Sequence, residues 1–321
     1  MSLVTSFSSS FSRHLRRNTQ AGSITLPAES DLRESSTLSI GAIVKQLRRQ
    51  IGWGKSVQRR HGESRCGSVF IVGAGPGDAE LLTVKALRLL QQADVVLFDA
   101  LVSQEILSLI PGKVEKEYVG KRCKKHSFTQ SAICQRVVAL ANAGKTVVRL
   151  KGGDPALFAR TCEETAALQA ANIPFAIVPG ITAASGVSAY TGIPLTDRRC
   201  AQSVSFMTAH FQDASQWPEM AAMARNVLKQ TVVVYMGLSR LQGLCEGLAN
   251  HKVPDHWPVA VIENGTTHEQ RVVTGSLSDI SDRVAQAKLT GPTLLIFGKV
   301  VESRQLVNTL LLQSTEHATT I

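Results

Sequence analysis

VFIVGAGPGD at Val69–Asp78 and VVRLKGGDP at Val147–Pro155 decide the fold. Each is a short β-like run that breaks into glycine and a turn. The first run, VFIVG, has no polar alternation, and with the other V-, I-, L- and F-rich runs of the chain it predicts a parallel sheet covered on both faces. Glycine directly after such a strand lets a ligand approach the backbone. Two turns of this type therefore predict two strand ends facing one cleft.

The first turn nearly matches the dinucleotide fingerprint, with Gly73 and Gly75 in place, but Asp78 stands where the third glycine is required. Asp94 and Asp99 flank the next strand too early to serve as the ribose-binding acid. Pro76 also removes an N–H that a pyrophosphate would use. The pattern turns away from NAD. On this turn alone a ligand loop and a plain strand-to-helix turn, with Asp78 capping a helix over Ala79–Ala93, both stay open.

Outward from these turns the pattern is α/β. The first helix carries Leu82, Ala86, Leu89, Leu90 and Ala93 on one face, and ADVVLFD supplies the next strand. Thr129 can cap a helix bearing Ile133, Val137, Leu140 and Ala141, with Gly144 ending it as the residue past the cap. A third helix around Cys162–Ala171 leads into FAIVP and the small-residue segment Gly180–Gly186. Beyond Gly192–Arg199 the runs SVSFMTAH, TVVVYMG, PVAVIEN, RVVTGSL and TLLIFGKVV follow. Only some of these are joined by helix-length connections, which predicts a mixed sheet.

The boundaries predicted are a basic Ser/Arg-rich extension over 1–66, α/β domains over 67–190 and 191–303, and a polar tail over 304–321. At 321 residues and 44% hydrophobic, the chain can bury a large core in two domains. The net charge of +10 is concentrated at the start, where residues 1–66 hold 11 Lys/Arg against 4 Asp/Glu. The remainder, at 24 against 21, is near neutral, and with aromatics at 5% it offers little stacking surface for bases, so no nucleic-acid partner is expected. Six scattered cysteines with no CxxC pair suit reduced thiols in a cytoplasm-like compartment. No apolar run reaches the ~18 residues of a membrane span, so no membrane is expected. The first 28 residues, rich in Ser and Arg with no acid before Glu29, have the composition of a plastid-type transit peptide. The basic amphipathic stretch at 40–60 favours a disordered bacterial extension instead.

The ordered set GAGPGD, LFDALVS, VGKR (Val119–Arg122), RLKGGDP, PGITAASG, GIPLT, TAH (Thr208–His210), YMG (Tyr235–Gly237), ENGT (Glu263–Thr266) and GxV (Gly298–Val300) resembles the tetrapyrrole methylases. Among these the resemblance is to members acting on uroporphyrinogen III, and it covers roughly Ser68–Ser303. It implies two α/β domains with S-adenosylmethionine bound between them, no metal, and a homodimer. It implies methylation of uroporphyrinogen III at C2 and C7, giving precorrin-2 for sirohaem, cobalamin or haem d1. Some relatives carry a fused dehydrogenase–chelatase domain with an NAD fingerprint. None is present in this chain, so the expected reaction ends at precorrin-2.

By the same resemblance, Asp99 matches the proton acceptor and Lys121 the proton donor. Pro76, Gly152, Gly153, Asp154, Leu157, Thr182, Ala183, Met236 and Gly265 match the donor site. A strand-end carboxylate facing a cleft suits a base that relieves positive charge on a methylated ring. Uroporphyrinogen carries eight carboxylates, so cations around a rim are expected, with Arg122, Arg149 and Lys151 the candidates. Two departures stand out. Ala159 and Thr161 occupy positions where glycines are common, and a β-branched Thr161 would be costly if the turn needs positive φ. Asp197 replaces a usual histidine. Two other readings remain: a methylase of this fold acting on a later precorrin, RNA or protein residue, and a non-enzymatic nucleotide-binding module.

Overall fold

The computed structural model describes residues 66–120, 129–211, 213 and 215–312. The basic extension, apart from Cys66, therefore lies outside the described residues, as do Lys121 and Arg122.

The first half builds its sheet outward and then returns. β1 (Val69–Gly73) leads through α1 (Val84–Gln92) to β2 (Val95–Phe98), and α2 (Gln104–Ser108) leads to β3 (Glu115–Tyr118). After α3 (Gln130–Asn142), β4 (Val147–Lys151) inserts between β2 and β1, and α4 (Thr161–Ala170) carries the chain to β5 (Phe175–Val178) on the far side. The order is β3-β2-β4-β1-β5, every pairing parallel. Strand order reverses between β1 and β4, and both glycine turns leave the carboxyl ends of these two neighbours. That is where open α/β sheets place a ligand crevice.

Local signals account for most of the helices. α3 begins where Thr129 accepts a hydrogen bond from Ala132 N, buries Ile133, Val137, Leu140 and Ala141, and ends beside Gly144 at φ +80°. The helix expected from Asp78 differs. Asp78 caps only a single 3₁₀ turn, Ala79–Leu81; Leu82 is extended, and Thr83 caps α1 by accepting from Ala86 N. Two capping residues five positions apart compete, and the second opens the helix that buries Ala86, Leu89 and Leu90. Burial of each leucine contributes roughly 1.5–3 kcal/mol.

β1 and β4 are packed on both faces. Val72, Val148 and Leu150 face α1 and α2, while Ile71, Val69 and Val147 face α3 and α4. The edge strand β5 is different, leaving Phe175 and Ile177 exposed.

α5 (Ala183–Thr191) leads into the second half, which comprises β6 (Val204–Thr208), α6 (Met220–Lys229), β7 (Thr231–Tyr235), α7 (Leu241–Asn250), β8 (Pro258–Glu263), β9 (Arg271–Ser276), α8 (Ile280–Ala287) and β10 (Thr293–Phe297). Its sheet has the order β6-β7-β10-β8-β9, with β6 parallel to β7 and the other pairs antiparallel. This is the mixed sheet expected. α6, α7 and α8 cover one face, and Ala184 and Val187 of α5 pack into the other, among Val233, Ala260, Ile262 and Ile296. Residues 66–311 belong to one compact unit, with α5 following the first sheet and roofing the second.

The tail expected to be polar from 304 begins anchored. Ser303 Oγ donates to Asp197, Arg304 Nε to the Thr191 carbonyl and Gln305 N to the Gly192 carbonyl. Beyond that point Leu306, Leu310 and Leu311 are exposed.

Candidate functional site

The two glycine turns touch. Gly75 N donates to Gly153 O at 3.2 Å and Gly153 N to Gly75 O at 2.7 Å, a reciprocal pair that extends the β1–β4 ladder into the loops. Both residues have positive φ, +77° and +69°, which glycine alone adopts without strain. A Cβ on Gly73 would lie 2.6 Å from Gly180 Cα, so the turn after β5 closes on the same point.

Asp154 joins the second and third turns. Its Oδ1 accepts from Ala156 N at 2.7 Å and its Oδ2 from Gly180 N at 2.9 Å. With both oxygens engaged on backbone, this carboxylate shapes the loop, in which the N–H and C=O of Gly153 are already paired with Gly75. Leu157 follows half-buried. Thr161, expected to be strained, opens α4 with an ordinary φ and donates its hydroxyl to the Pro155 carbonyl. Positive φ falls on Phe158 and Arg160 instead, so the penalty predicted for Thr161 does not arise.

The second half supplies the opposite wall. Tyr235, at the end of β7, places its hydroxyl 2.6 Å from Thr182 Oγ1 and accepts from Ala184 N at 3.1 Å. Thr182 is the N-cap residue of α5 yet makes no side-chain cap, so a tyrosine from the other sheet caps the helix in its place. Burial pushes the Tyr235 phenol up from its ordinary value. Met236 follows at φ +55°, 47% exposed. Asn264 and Thr266 also have positive φ, on either side of Gly265, whose loop rests on Val187 of α5. Strained backbone of this kind persists where surrounding packing imposes it, frequently at ligand sites.

Pro76 packs against α5, where a Cβ on Gly186 would sit 2.6 Å from Pro76 Cγ. Asp78 bridges the halves: its N donates to Thr266 Oγ1 at 3.2 Å and its Oδ2 accepts from Tyr190 Oη at 2.5 Å. Burial, with the Asp78 hydrogen bond, pushes the Tyr190 phenol up. The aspartate that spoils the dinucleotide fingerprint is thus a latch between the first loop and the second sheet.

Asp99 follows β2 beside these turns. Its Oδ1 accepts from Leu101 N at 3.1 Å, its Oδ2 meets Arg149 Nη2 at 3.3 Å, and its side chain is 24% exposed. A Cβ on Gly152 would come within 2.5 Å of Leu101 Cβ, which puts the Asp99–Leu101 turn against the GGDP turn. Asp99 does not cap α2; Ser103 does.

Arg149 and Lys151 are not rim cations. Both are 4% exposed, because β4 is flanked by β1 and β2 and covered by α4, and both pair with Glu164, itself 3% exposed. Burial and the neighbouring Arg149 charge push Lys151 down from its ordinary value, against the pull of Glu164. Asp197 is held well below the usual carboxylate range by side-chain and backbone hydrogen bonds from Arg199, so it pins a tight turn.

Several participants escaped the sequence reading. Phe158 and Phe206 flank Tyr235, with ring centroids at 5.1 and 6.2 Å, and make a half-exposed aromatic patch beside Met236. The YMG motif pointed to this place, but only through its methionine. Glu164 was visible as half of an acidic pair, without any sign that it was buried.

The sequence model of the tetrapyrrole (corrin/porphyrin) methylases matches residues 68–281. A siroheme synthase from Acinetobacter baylyi is 53% identical over 239 residues, covering 74% of this chain and 52% of that protein. The chain thus spans about half the length of the siroheme synthases it matches. Among solved structures, uroporphyrin-III C-methyltransferase from Thermus thermophilus complexed with S-adenosylhomocysteine superposes with a TM-score of 0.64 at 37% identity, covering 74% of this chain and 100% of that one. A cobalt precorrin-4 methyltransferase of cobalamin biosynthesis superposes with a TM-score of 0.66 at 25% identity, covering 75% and 98%.

Proposed function

The chain belongs to the tetrapyrrole (corrin/porphyrin) methylase family, and on that premise we propose that it transfers methyl groups from S-adenosylmethionine to C2 and C7 of uroporphyrinogen III, giving precorrin-2 and S-adenosylhomocysteine. The observation that carries the reading is the joined pair of glycine turns at the β1/β4 switch point, in a chain that aligns with the whole length of a uroporphyrin-III C-methyltransferase bound to S-adenosylhomocysteine.

The donor lies along Pro76, Gly152, Gly153, Asp154 and Leu157 on one side and Thr182, Ala183, Met236 and Gly265 on the other. These residues fit a nucleoside and an amino-acid portion: half-buried glycines at Gly152, Gly153 and Gly265, an apolar Met236, and a helix N-terminus at Thr182 for a carboxylate. A pyrrole carbon attacks the sulfonium methyl in line, the S–CH₃ bond breaks as the C–C bond forms, and the sulfur departs neutral. Holding the reactants about 3–3.5 Å apart supplies much of the rate. The methylated ring carries positive charge until a proton leaves, and Asp99 is the acceptor. Lys121, outside the described residues, is the proton donor in this reading, and Arg122 beside it meets substrate carboxylates. The working form is a homodimer, for which the exposed Phe175 and Ile177 on the β5 edge offer a surface. The product enters sirohaem or cobalamin synthesis.

Anaerobic incubation of the purified chain with S-adenosylmethionine and uroporphyrinogen III should give a dimethylated product of the precorrin-2 type and two equivalents of S-adenosylhomocysteine. Methylation of a later precorrin, with uroporphyrinogen III untouched, would replace this reading with its nearest alternative.

A further inference from the structure

We infer that Glu164, from α4, is a positioning residue that holds Asp99 in its reactive state through Arg149. The inference rests on the assignment of Asp99 as proton acceptor.

Arg149 and Lys151 are two apart on β4, so they share a face, and that face is buried beneath α4. Two cations in such a place are costly unless paired and hydrogen-bonded. Glu164 supplies the pairing with both oxygens engaged: Oε1 takes Arg149 Nε at 3.2 Å and Gln130 Nε2 at 3.1 Å, and Oε2 takes Lys151 Nζ at 2.8 Å. Apolar side chains could fill the same volume at equal or better stability, so stability alone does not account for the cluster.

The geometry of the guanidinium does. Arg is a rigid planar fork, so fixing two of its nitrogens fixes the third. Glu164 holds Nε, the Leu150 carbonyl accepts from Nη1 at 2.8 Å, and Nη2 is left aimed at Asp99 Oδ2, 3.3 Å away. Asp99 is thereby tethered by one N–H at one oxygen, while Leu101 N tethers the other. Each oxygen keeps lone-pair capacity for a proton from the substrate. Without Glu164, Arg149 keeps Asp99 as its ion-pair partner, and Asp99 also attracts Lys151. A fork freed at Nε closes on it bidentately and occupies both oxygens. Two cations facing two carboxylates also leave the cluster balanced, whereas one carboxylate against two cations would draw Asp99 inward.

The test is steady-state methylation of uroporphyrinogen III, with S-adenosylhomocysteine affinity by calorimetry and melting temperature, on Glu164→Gln, Glu164→Asp and Arg149→Lys. Glu164→Gln should lower kcat by about 10–100-fold, the scale for disturbing a residue that orients a reacting group, with S-adenosylhomocysteine Kd within about twofold of wild type. Glu164→Asp, which restores the charge, should recover most of the loss. Arg149→Lys keeps the charge but has no fork to span Glu164 and Asp99, and should lose kcat to a similar degree. It serves as the deciding variant should Glu164→Gln fail to fold. Wild-type kcat in a folded Glu164→Gln, or in Arg149→Lys if Gln does not fold, overturns the inference. So does a loss of kcat that only parallels a loss of donor affinity. Asp99→Asn separates the two levels: if it still methylates, the assignment of Asp99 falls; if it is inactive while Glu164→Gln is not, only the role of Glu164 falls.

Discussion

The two walls of the cleft are held by different physics. Under the first, Arg149 and Lys151 of β4 form with Glu164 of α4 a buried ionic cluster that reaches the partly exposed Asp99. In the second wall the buried carboxylate Glu263, next to Asn264, pairs with Arg271, which is half exposed. That wall is shaped by Tyr235 and by backbone in the left-handed region at Met236, Asn264 and Thr266. Charge networks resist displacement because any unpaired member is expensive. Strained, half-exposed backbone is held by packing and presents main-chain groups to a ligand. On the function proposed above, the first wall holds the proton acceptor together with one side of the donor site, and the second wall holds the other side.

The largest expected effect falls on the first wall. Asp99→Asn should lower methylation by about 10²–10⁴-fold, the usual contribution of a positioned general base, while S-adenosylhomocysteine still binds in calorimetry. Loss of binding in step with turnover would erase the distinction between the walls. Gly180→Ala ranks next. The added Cβ meets the Gly153 carbonyl and the Gly73 backbone, none of which can move without parting the joined turns. Crowding of this kind costs about 1–3 kcal/mol, and the variant should melt earlier and bind the donor weakly; unchanged donor affinity would show that the junction of the turns is not part of the site.

Tyr235→Phe probes the second wall. It removes the acceptor for Ala184 N and the partner of Thr182 Oγ1, and an unsatisfied buried group of that type costs about 1–3 kcal/mol. Donor affinity should fall with kcat at saturating donor little changed. A kcat defect at intact affinity would put Tyr235 with the chemistry instead. The smallest effect belongs to Asp197. Its folded-state value is depressed, so its contribution to stability is present above the unfolded carboxylate value of about 3.9 and is lost as pH falls toward the folded one. Asp197→Asn should slightly flatten the acid side of the melting-temperature profile below about pH 4. A profile that overlays wild type would mean that the Arg199 contact carries no folding free energy.

Where signals were local, the sequence was a sufficient guide. Thr129 and Gly144 bracket α3 because each acts on backbone within a few residues. An uninterrupted apolar run marked β1, because both faces of a central parallel strand are buried, whereas β4 breaks its run with Arg149 and Lys151. Asp78 was misjudged as the cap of a long helix because Thr83, five residues on, opens that helix, while the other oxygen of Asp78 answers to Tyr190, far along the chain. Arg149 and Lys151 were misjudged for a related reason. A cation near a glycine turn looks like a loop cation until its partner is known, and the partner, Glu164, sits on the following helix.

The sequence by itself determined the α/β class, the two glycine turns, the mixed second sheet and, through the order of ten motifs, the family. Periodicity, turn chemistry and motif order are properties of the chain read in one dimension. Only the tertiary structure decided which charges are buried, which phenol caps α5, and which residues carry positive φ. Those depend on what lies across a sheet or against a helix, and so on distance in space between residues remote in the chain.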